Sequence, residues 1–456
     1  MADVGKPAPV TRALGEFVGA LRFADVPRPA HDPIHIGFAD CVGVMIAGRA
    51  EPAVRILRET LAPAPGPASL LFTKDTAAAP EAAWINGTAA HALDYDDVAQ
   101  RGHTSAVLVP AILAEAQALA ASGEQMLTAY AAGYEVWAEL CRRDPQQHHE
   151  KGWHPTAIFG AIGAAAAVAS LRGMDAGQRA TALALAASQS AGLMANFGTM
   201  AKPFHAGRSA HAGVIAARLA QSGFTAALDT LEHPQGFLAA VSPQGNVDRQ
   251  RAVLAGREWR LAVDRVSVKK YPLCYCTHRA LDGMLDLLAR ESPDASKVRR
   301  ITVVTSRRNA TILRNHRPRT GLEAKFSMEF AMACAVVARR AGLAELTDAF
   351  VNRHDVQALV EKTRVEEAPQ DDPDKPGYAQ HDLVTIELEG GRLLQSGPIS
   401  QVRGDADHPL TPAELRAKFD DCVNAGGGGV PARALFDALT SLPQLANAND
   451  LPGLRR

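Results

Sequence analysis

The six cysteines of this 456-residue chain, at positions 41, 141, 274, 276, 334 and 422, never form a CxxC pair. That absence argues against structural zinc and against the usual cysteine spacings of iron–sulfur clusters. Nor is there a surplus of charge. Lys and Arg number 48 against 49 Asp and Glu, for a formal net charge of -1. No global basic field exists to draw in nucleic acid or an anionic membrane, so neither is expected as a partner and any anion site must be local. Long apolar runs are missing too. The longest nearly uncharged stretch, Ala157 to Leu171, falls short of the roughly 20 residues that span a bilayer and reads as a buried helix. Arg12 and Glu16 interrupt the first apolar pattern, unlike the core of a secretory signal, so export is not expected. With cysteines scattered rather than clustered, reduced thiols and a cytoplasmic location are the expectation. Internal repeats are absent, and the run Gly426 to Gly429 lacks the Lys-Ser/Thr of a phosphate loop.

The length suits about two or three domains. The first half carries helical periodicity. Val10, Leu14, Phe17, Val18 and Leu21 mark one helix face. Asp32-Pro33 predicts a helix start that Gly48 can end, and Pro80 can open another helix. The Ala- and Gly-rich stretches 157–171 and 181–198 allow helices to approach closely, and a further helix is expected over about 207–222, stopping at Gly223. Near residue 262 the pattern changes. Ile301, Val303 and Thr305 alternate with their neighbours, as do Val384, Ile386 and Leu388, and Gly390-Gly391 suggests a hairpin. Helices are expected around Leu281 to Leu288 and over 325–341, and a loop over 366–380. Thr411-Pro412-Ala413-Glu414 fits a capping box that returns the chain to helix. The fold class is therefore mainly α: a helical domain from both chain ends (1–261 and 404–456) with an α+β module (262–403) inserted.

Four stretches could carry chemistry. Asn86 to Pro110 holds Asp94, Asp96, Asp97 and His103. A hard divalent ion would want several convergent oxygens, and no EF-hand spacing is present; solvated helix-end aspartates are the plainer reading of the cluster alone. In Lys151 to Thr156, His154 stands before Pro155 at a helix start, where the dipole favours anions and a neutral imidazole. A metal variant using His148, His149 and His154 would lie on a loop-like stretch. Ala201 to Arg208 sets Lys202 and Arg208 in front of another helix; Lys202 could bind a carboxylate or move a proton if buried. Lys269 to His278 precedes a third helix, and its Cys274 and Cys276 read as pocket or core residues, not as a Cys/His nucleophile.

In this order NGTAAHALDYDD, GWHPTAIFGA, KPFHAGRSAHAG and KKYPLCYCTH, followed by AKFSMEFAMA and PLTPAELRAKF, resemble the MmgE/PrpD family along nearly the whole chain. The resemblance implies a helical domain with a smaller α+β lid, a homodimer, a site in the cleft between domains, and cofactor-independent action on small di- or tricarboxylates. The matching positions imply Asp94, His103, His154, Lys202 and Lys269 as catalytic residues, with Arg208, Tyr271, Cys274 and His278 binding substrate and no metal ligands. Such a set suits the chemistry: cations offset carboxylates and stabilise charge growing at the adjacent carbon, while an imidazole removes a proton.

The family includes 2-methylcitrate dehydratases, cis-aconitate decarboxylases and iminodisuccinate epimerases. Where the decarboxylase pattern has Thr, His and Tyr, this chain has Val98, Cys274 and Phe330. The leading expectation is thus a lyase that dehydrates a citrate-like hydroxy-polycarboxylate. An epimerase of a small dicarboxylate, a cis-aconitate-type decarboxylase and a non-catalytic polycarboxylate binder are the alternatives.

Overall fold

The computed structural model describes residues 8–373 and 377–454. The chain divides into two compact units, Met1–Asn196 with Met200–Ser267 and Pro412–Arg456, and Phe197–Thr199 with Val268–Thr411. The architecture is mainly α, and no helix among the described residues is long and apolar enough to cross a membrane.

The first unit is helical. Its opening helix, Val10–Ala20, buries Val10, Leu14 and Val18, as its period requires. The next runs Arg28–Gly48, five residues earlier at its start than Asp32-Pro33 suggested. Pro27 precedes it in extended conformation and Pro33 lies within its second turn, where the missing N–H costs one backbone hydrogen bond and not the helix. The Ala-rich helix Pro155–Leu171 is buried along nearly its whole length, packed among other helices of the unit. The second Ala-rich stretch stays helical only over Ala176–Ala187; beyond it the chain turns irregular through Gly192 and Gly198, both at positive φ. The helix expected from about residue 207 begins at Ala201 and runs to Gln221. Pro203 did not block the earlier start because a first-turn N–H has no intrahelical partner to lose.

Two glycines set the crossing on which the site depends. Helices Ala79–Ala92 and Ala201–Gln221 run antiparallel, with Trp84 beside His211 and His91 beside Lys202. A Cβ on Gly207 would fall 2.2 Å from the Trp84 carbonyl and 2.3 Å from Thr88 Oγ1, and one on Gly87 would fall 2.9 Å from Gly207 Cα. Only glycine permits backbones this close.

Residues Pro412–Ala425 return to this unit as a helix against Arg28–Gly48. Lys418 reaches in from that helix to place its Nζ 2.6 Å from Asp40 Oδ1, to donate to the Tyr95 carbonyl at 2.8 Å, and to lie 3.9 Å from the Tyr95 ring centroid. Arg49 donates to the carbonyls of Gly426 and Gly428, which gives the glycine run a structural task at the helix end. Residues Arg260–Asp264 stay with the first unit because the Arg260 and Leu261 N–H groups donate to the buried Glu135 carboxylate at 3.2 and 2.8 Å.

The second unit holds a four-stranded sheet in the order Thr363–Glu367, Val298–Thr305, Leu383–Leu388, Leu393–Gln395. The first pair is parallel, the others antiparallel, and Gly390-Gly391 turns the hairpin that sets Thr385 opposite Gln395. Helices His278–Glu291 and Met328–Ala338 accompany the strands. The strand Thr363–Glu367 takes the first two residues of the expected loop, and residues 374–376 of that loop lie outside the described ones.

Lys418→Met should lower unfolding free energy by about 3–5 kcal/mol, since it strands the buried Asp40. Arg55→Ala, which removes an exposed pair with Glu59, should cost no more than about 0.5 kcal/mol. Urea unfolding of both variants checks this; equal losses would mean the Lys418 pair carries no special weight.

Candidate active site

Three helix N-termini and one C-terminus of the first unit meet at a cluster of histidines, aspartates and one lysine. His103 is the N-cap of Thr104–Leu119 and His154 the N-cap of Pro155–Leu171, while Lys202 lies in the first turn of Ala201–Gln221. His91 closes Ala79–Ala92. Directly after it the chain reverses through Asp94, whose φ of +50° places a non-glycine residue in the left-handed region and whose N–H donates to the His91 carbonyl at 3.1 Å. The His103 N–H is held by Thr156 Oγ1 at 3.1 Å and the His154 N–H by the Gly192 carbonyl at 3.0 Å, so each imidazole leaves from a fixed backbone.

Lys202 lies at the centre of the cluster and is buried. Its ammonium donates to Asp94 Oδ1 at 2.7 Å and to His91 Nε2 at 2.8 Å. The other nitrogen of His91, Nδ1, is 2.8 Å from Asp96 Oδ1 and must carry the proton, because Nε2 accepts from a cation that has no lone pair to offer. The second oxygen of Asp96 lies 2.9 Å from His103 Nδ1. One buried carboxylate thus aligns two imidazoles and turns the Nε2 of each into an acceptor. His103 Nε2 lies 3.7 Å from Asp94 Oδ1, and the His91 and His103 rings are 4.2 Å apart. His154 completes the group, 6.0 Å from His91 and 6.5 Å from His103 between ring centroids, with its Nδ1 3.3 Å from His205 Nδ1.

The electrostatics keep His91, His154 and His205 neutral. Burial, and then the Lys202 charge, push His91 down to about 3 in spite of Asp96. Burial and the same cationic surroundings hold His154 well below its ordinary value and His205 at about 4. For Asp96 burial acts upward, but His91 and His103 overcome it and the carboxylate stays well below its usual range. Asp97 goes the other way, pushed well up by burial and by Asp40, and accepts from Ser105 Oγ at 2.8 Å.

Asp94, His103, His154 and Lys202 are therefore brought together. Arg208 is not part of that group: its guanidinium contacts His211 at 3.0 Å and lies 5.5 Å from the Trp84 ring, almost two helical turns beyond Lys202. Lys269, Tyr271, Cys274 and His278 belong to the second unit. Lys269 is buried, Tyr271 donates to Asp282 at 2.6 Å, the Cys274 N–H donates to the Lys325 carbonyl, and His278 Nε2 lies 3.2 Å from the Leu273 carbonyl. His148 faces Asp144 at 3.2 Å rather than joining His154. His91 and His205 were not singled out from the sequence, although His205 stands about one helical turn from Lys202 and His91 three residues before Asp94. Asp96, which read alone looked like a solvated helix-end aspartate, is the buried common partner of two imidazoles.

His91, Asp94, Asp96 and His103 each offer a donor atom within 4.8 Å of the others, a spacing that could hold a metal ion. Lys202 already supplies a cation to two of those residues, His91 and Asp94. A divalent ion on the same donors would lie against the ammonium, so the arrangement suits a built-in cation better than a bound one.

Residues 12–250 match the MmgE/PrpD N-terminal domain and residues 271–440 the MmgE/PrpD C-terminal domain. The chain belongs to the MmgE/PrpD family. Among the similar members are the cis-aconitate decarboxylases of Homo sapiens, 28% identical over 357 residues (74% of this chain, 71% of the relative), and Mus musculus, 27% identical over 355 residues (74% and 70%). A cis-aconitate decarboxylase-like protein of Aspergillus oryzae is 24% identical over 402 residues, covering 82% of this chain and 81% of its own. The Asp94, His103, His154 and Lys202 cluster lies within the segment matched by the N-terminal domain of the family.

The buried neutral imidazoles fix the sign of an acid effect. Below the ordinary value of 6.5 the unfolded chain binds protons that the folded chain refuses until about pH 4 for His205 and about 3 for His91. Their stability is complete above pH 6.5 and is lost as pH falls, by about 1.4 kcal/mol per pH unit for each such histidine. Denaturant unfolding between pH 7.5 and 4.5 should reveal the decline, and His205→Asn should flatten it by one histidine's share. A flat profile over that range would contradict neutral burial.

Proposed function

We propose that this protein is a lyase of a small citrate-like polycarboxylate, working by general acid–base catalysis around Lys202. The observation that carries the reading is the buried ammonium fixed between His91 and Asp94 where three helix N-termini meet. A substrate with two or three carboxylates needs positive charge without bulk solvent, and the ammonium and the helix dipoles provide it. The same charges stabilise the electron pair that develops beside a carboxylate when a carbon loses a proton.

In this reading His103 is the base. Asp96 holds its Nδ1 side, so Nε2 takes the proton, and the imidazolium formed is stabilised by Asp96 and Asp94. His154, neutral and held through His205, hydrogen-bonds the leaving hydroxyl, and the proton that His103 took from the carbon passes to that hydroxyl, so both imidazoles end neutral. Dehydration follows when a hydroxyl on the neighbouring carbon departs as water and the carbon–carbon double bond forms. Decarboxylation is the second reading, favoured by the names of the relatives. There a carbon–carbon bond breaks, carbon dioxide leaves its electron pair on the carbon, and the Lys202 ammonium gives that carbon a proton. Both reactions build negative charge at the same place and use the same cation.

The purified protein, incubated with EDTA and separately with 2-methylcitrate, cis-aconitate and iminodisuccinate, should convert a tricarboxylate to an unsaturated product visible by NMR. Turnover restored only by added divalent metal would overturn the built-in cation. Conversion of iminodisuccinate alone would replace the lyase with an isomerase. Binding of a tricarboxylate with no product would leave a binder. Lys202→Ala and His103→Ala should each reduce turnover on the order of 100-fold or more; near-normal rates would remove these groups from the chemistry.

A further inference from the structure

The second unit carries a thiol unlike the rest. Five of the six cysteines are buried, and burial pushes the thiols of four of them, Cys41, Cys141, Cys334 and Cys422, up, Cys141 and Cys422 to about 12. Cys276 is partly exposed, on the single turn Tyr275–Thr277 that precedes the helix His278–Glu291. Three features converge on its sulfur. The thiol of Cys274, two residues before, hydrogen-bonds it. The Arg308 guanidinium reaches from the helix Arg307–Ile312 to place Nη1 3.8 Å from Sγ, steadied on its other side by the Tyr378 ring at 4.6 Å. The Lys269 charge adds to that of Arg308, while Asp382 opposes both. Together the Cys274 hydrogen bond and the two cations pull the Cys276 thiol down to about 7 against burial. A thiolate stabilised by cations, partly exposed and beside a second thiol is the setting of a redox-reactive cysteine.

We propose that Cys276 is a peroxide-reactive thiol and Cys274 its resolving partner, so that this turn closes to a disulfide under oxidation. The Cys276 thiolate attacks one oxygen of hydrogen peroxide; an S–O bond forms, the O–O bond breaks, and hydroxide leaves, with sulfur oxidised and peroxide reduced. The Cys274 sulfur then attacks the sulfenic sulfur. An S–S bond forms, the S–O bond breaks, and the hydroxide takes up the Cys274 proton and leaves as water. Arg308 stabilises the thiolate in the first step. The chemistry is independent of the lyase reading, and its test needs no turnover.

The experiment treats the native protein with hydrogen peroxide near pH 7.5, alkylates remaining thiols, and maps all six by mass spectrometry. The peptide holding Cys274 and Cys276 should lose two hydrogens, while Cys41, Cys141, Cys334 and Cys422 are alkylated only after denaturation. In Cys274→Ser the oxidation should halt at a Cys276 sulfenic acid trapped by dimedone. The pH profile of iodoacetamide labelling should put the Cys276 midpoint near 7, and Arg308→Met should slow labelling at pH 7 on the order of tenfold, as about one unit in thiol pKa implies. Labelling of native Cys276 no faster than that of the buried thiols would overturn the proposal without recourse to any variant. So would peroxide treatment that leaves the pair reduced, or Cys274→Ser without a dimedone adduct.

Discussion

The structure around the candidate site depends on one buried ammonium. Taking a lysine out of water costs several kcal/mol unless its charge and its three protons are satisfied. Asp94 supplies the opposite charge for Lys202, and His91 accepts a second hydrogen bond. Once that cation is in place, its neighbours have little choice. His91 and His154 cannot also be charged beside it, and Asp96 must stay ionised to hold the two imidazoles that face it. The neutrality of His91 and His154 follows from the lysine and the burial together, with no special property of either histidine.

The lysine reaches that position because of backbone packing remote from it. Gly87 and Gly207 let two antiparallel helices approach until any larger residue would clash, and that register brings the last turn of one helix to the first turn of the other. Lys418 and Asp40 act on the other flank, tying the carbonyl of Tyr95, next to Asp94, to a helix from the far end of the chain. The loop that carries Asp94, Asp96 and Asp97 is thus anchored by residues more than 300 positions away. A reaction that develops charge beside a carboxylate is served by a framework of this kind because its dipoles and cations are oriented before the substrate arrives.

Much of the fold was legible in the residues. Val10, Leu14 and Val18 announced a helix face, the alternation around Ile301 and Ile386 announced strands, and Gly390-Gly391 announced their hairpin. The strand Thr363–Glu367 was not legible, because an edge strand that is largely polar has no alternation to read. The helix at Arg28 starts before Pro33 because a proline near a helix start is tolerated in its first turns as well as at its first position, and the helix at Ala201 starts ahead of its expected position because Lys202, Pro203 and Phe204 carry no start signal of their own. At the site, Asp94, His103, His154 and Lys202 were found from their motifs and the family resemblance. His91, His205 and the pairing role of Asp96 were not, since a histidine inside an Ala-rich helix looks the same whether it faces a cation or a core.

The sequence by itself determined the class of architecture, the places where helices begin near cationic or imidazole side chains, and the membership of a family. Those are local properties, set by periodicity, capping and residue chemistry within a few positions. Which groups share a proton, which imidazoles stay neutral and which aspartate holds which histidine were decided by the tertiary structure alone. Such questions turn on separations of about 3 Å between atoms far apart in the chain, and on burial that no single segment can create for itself.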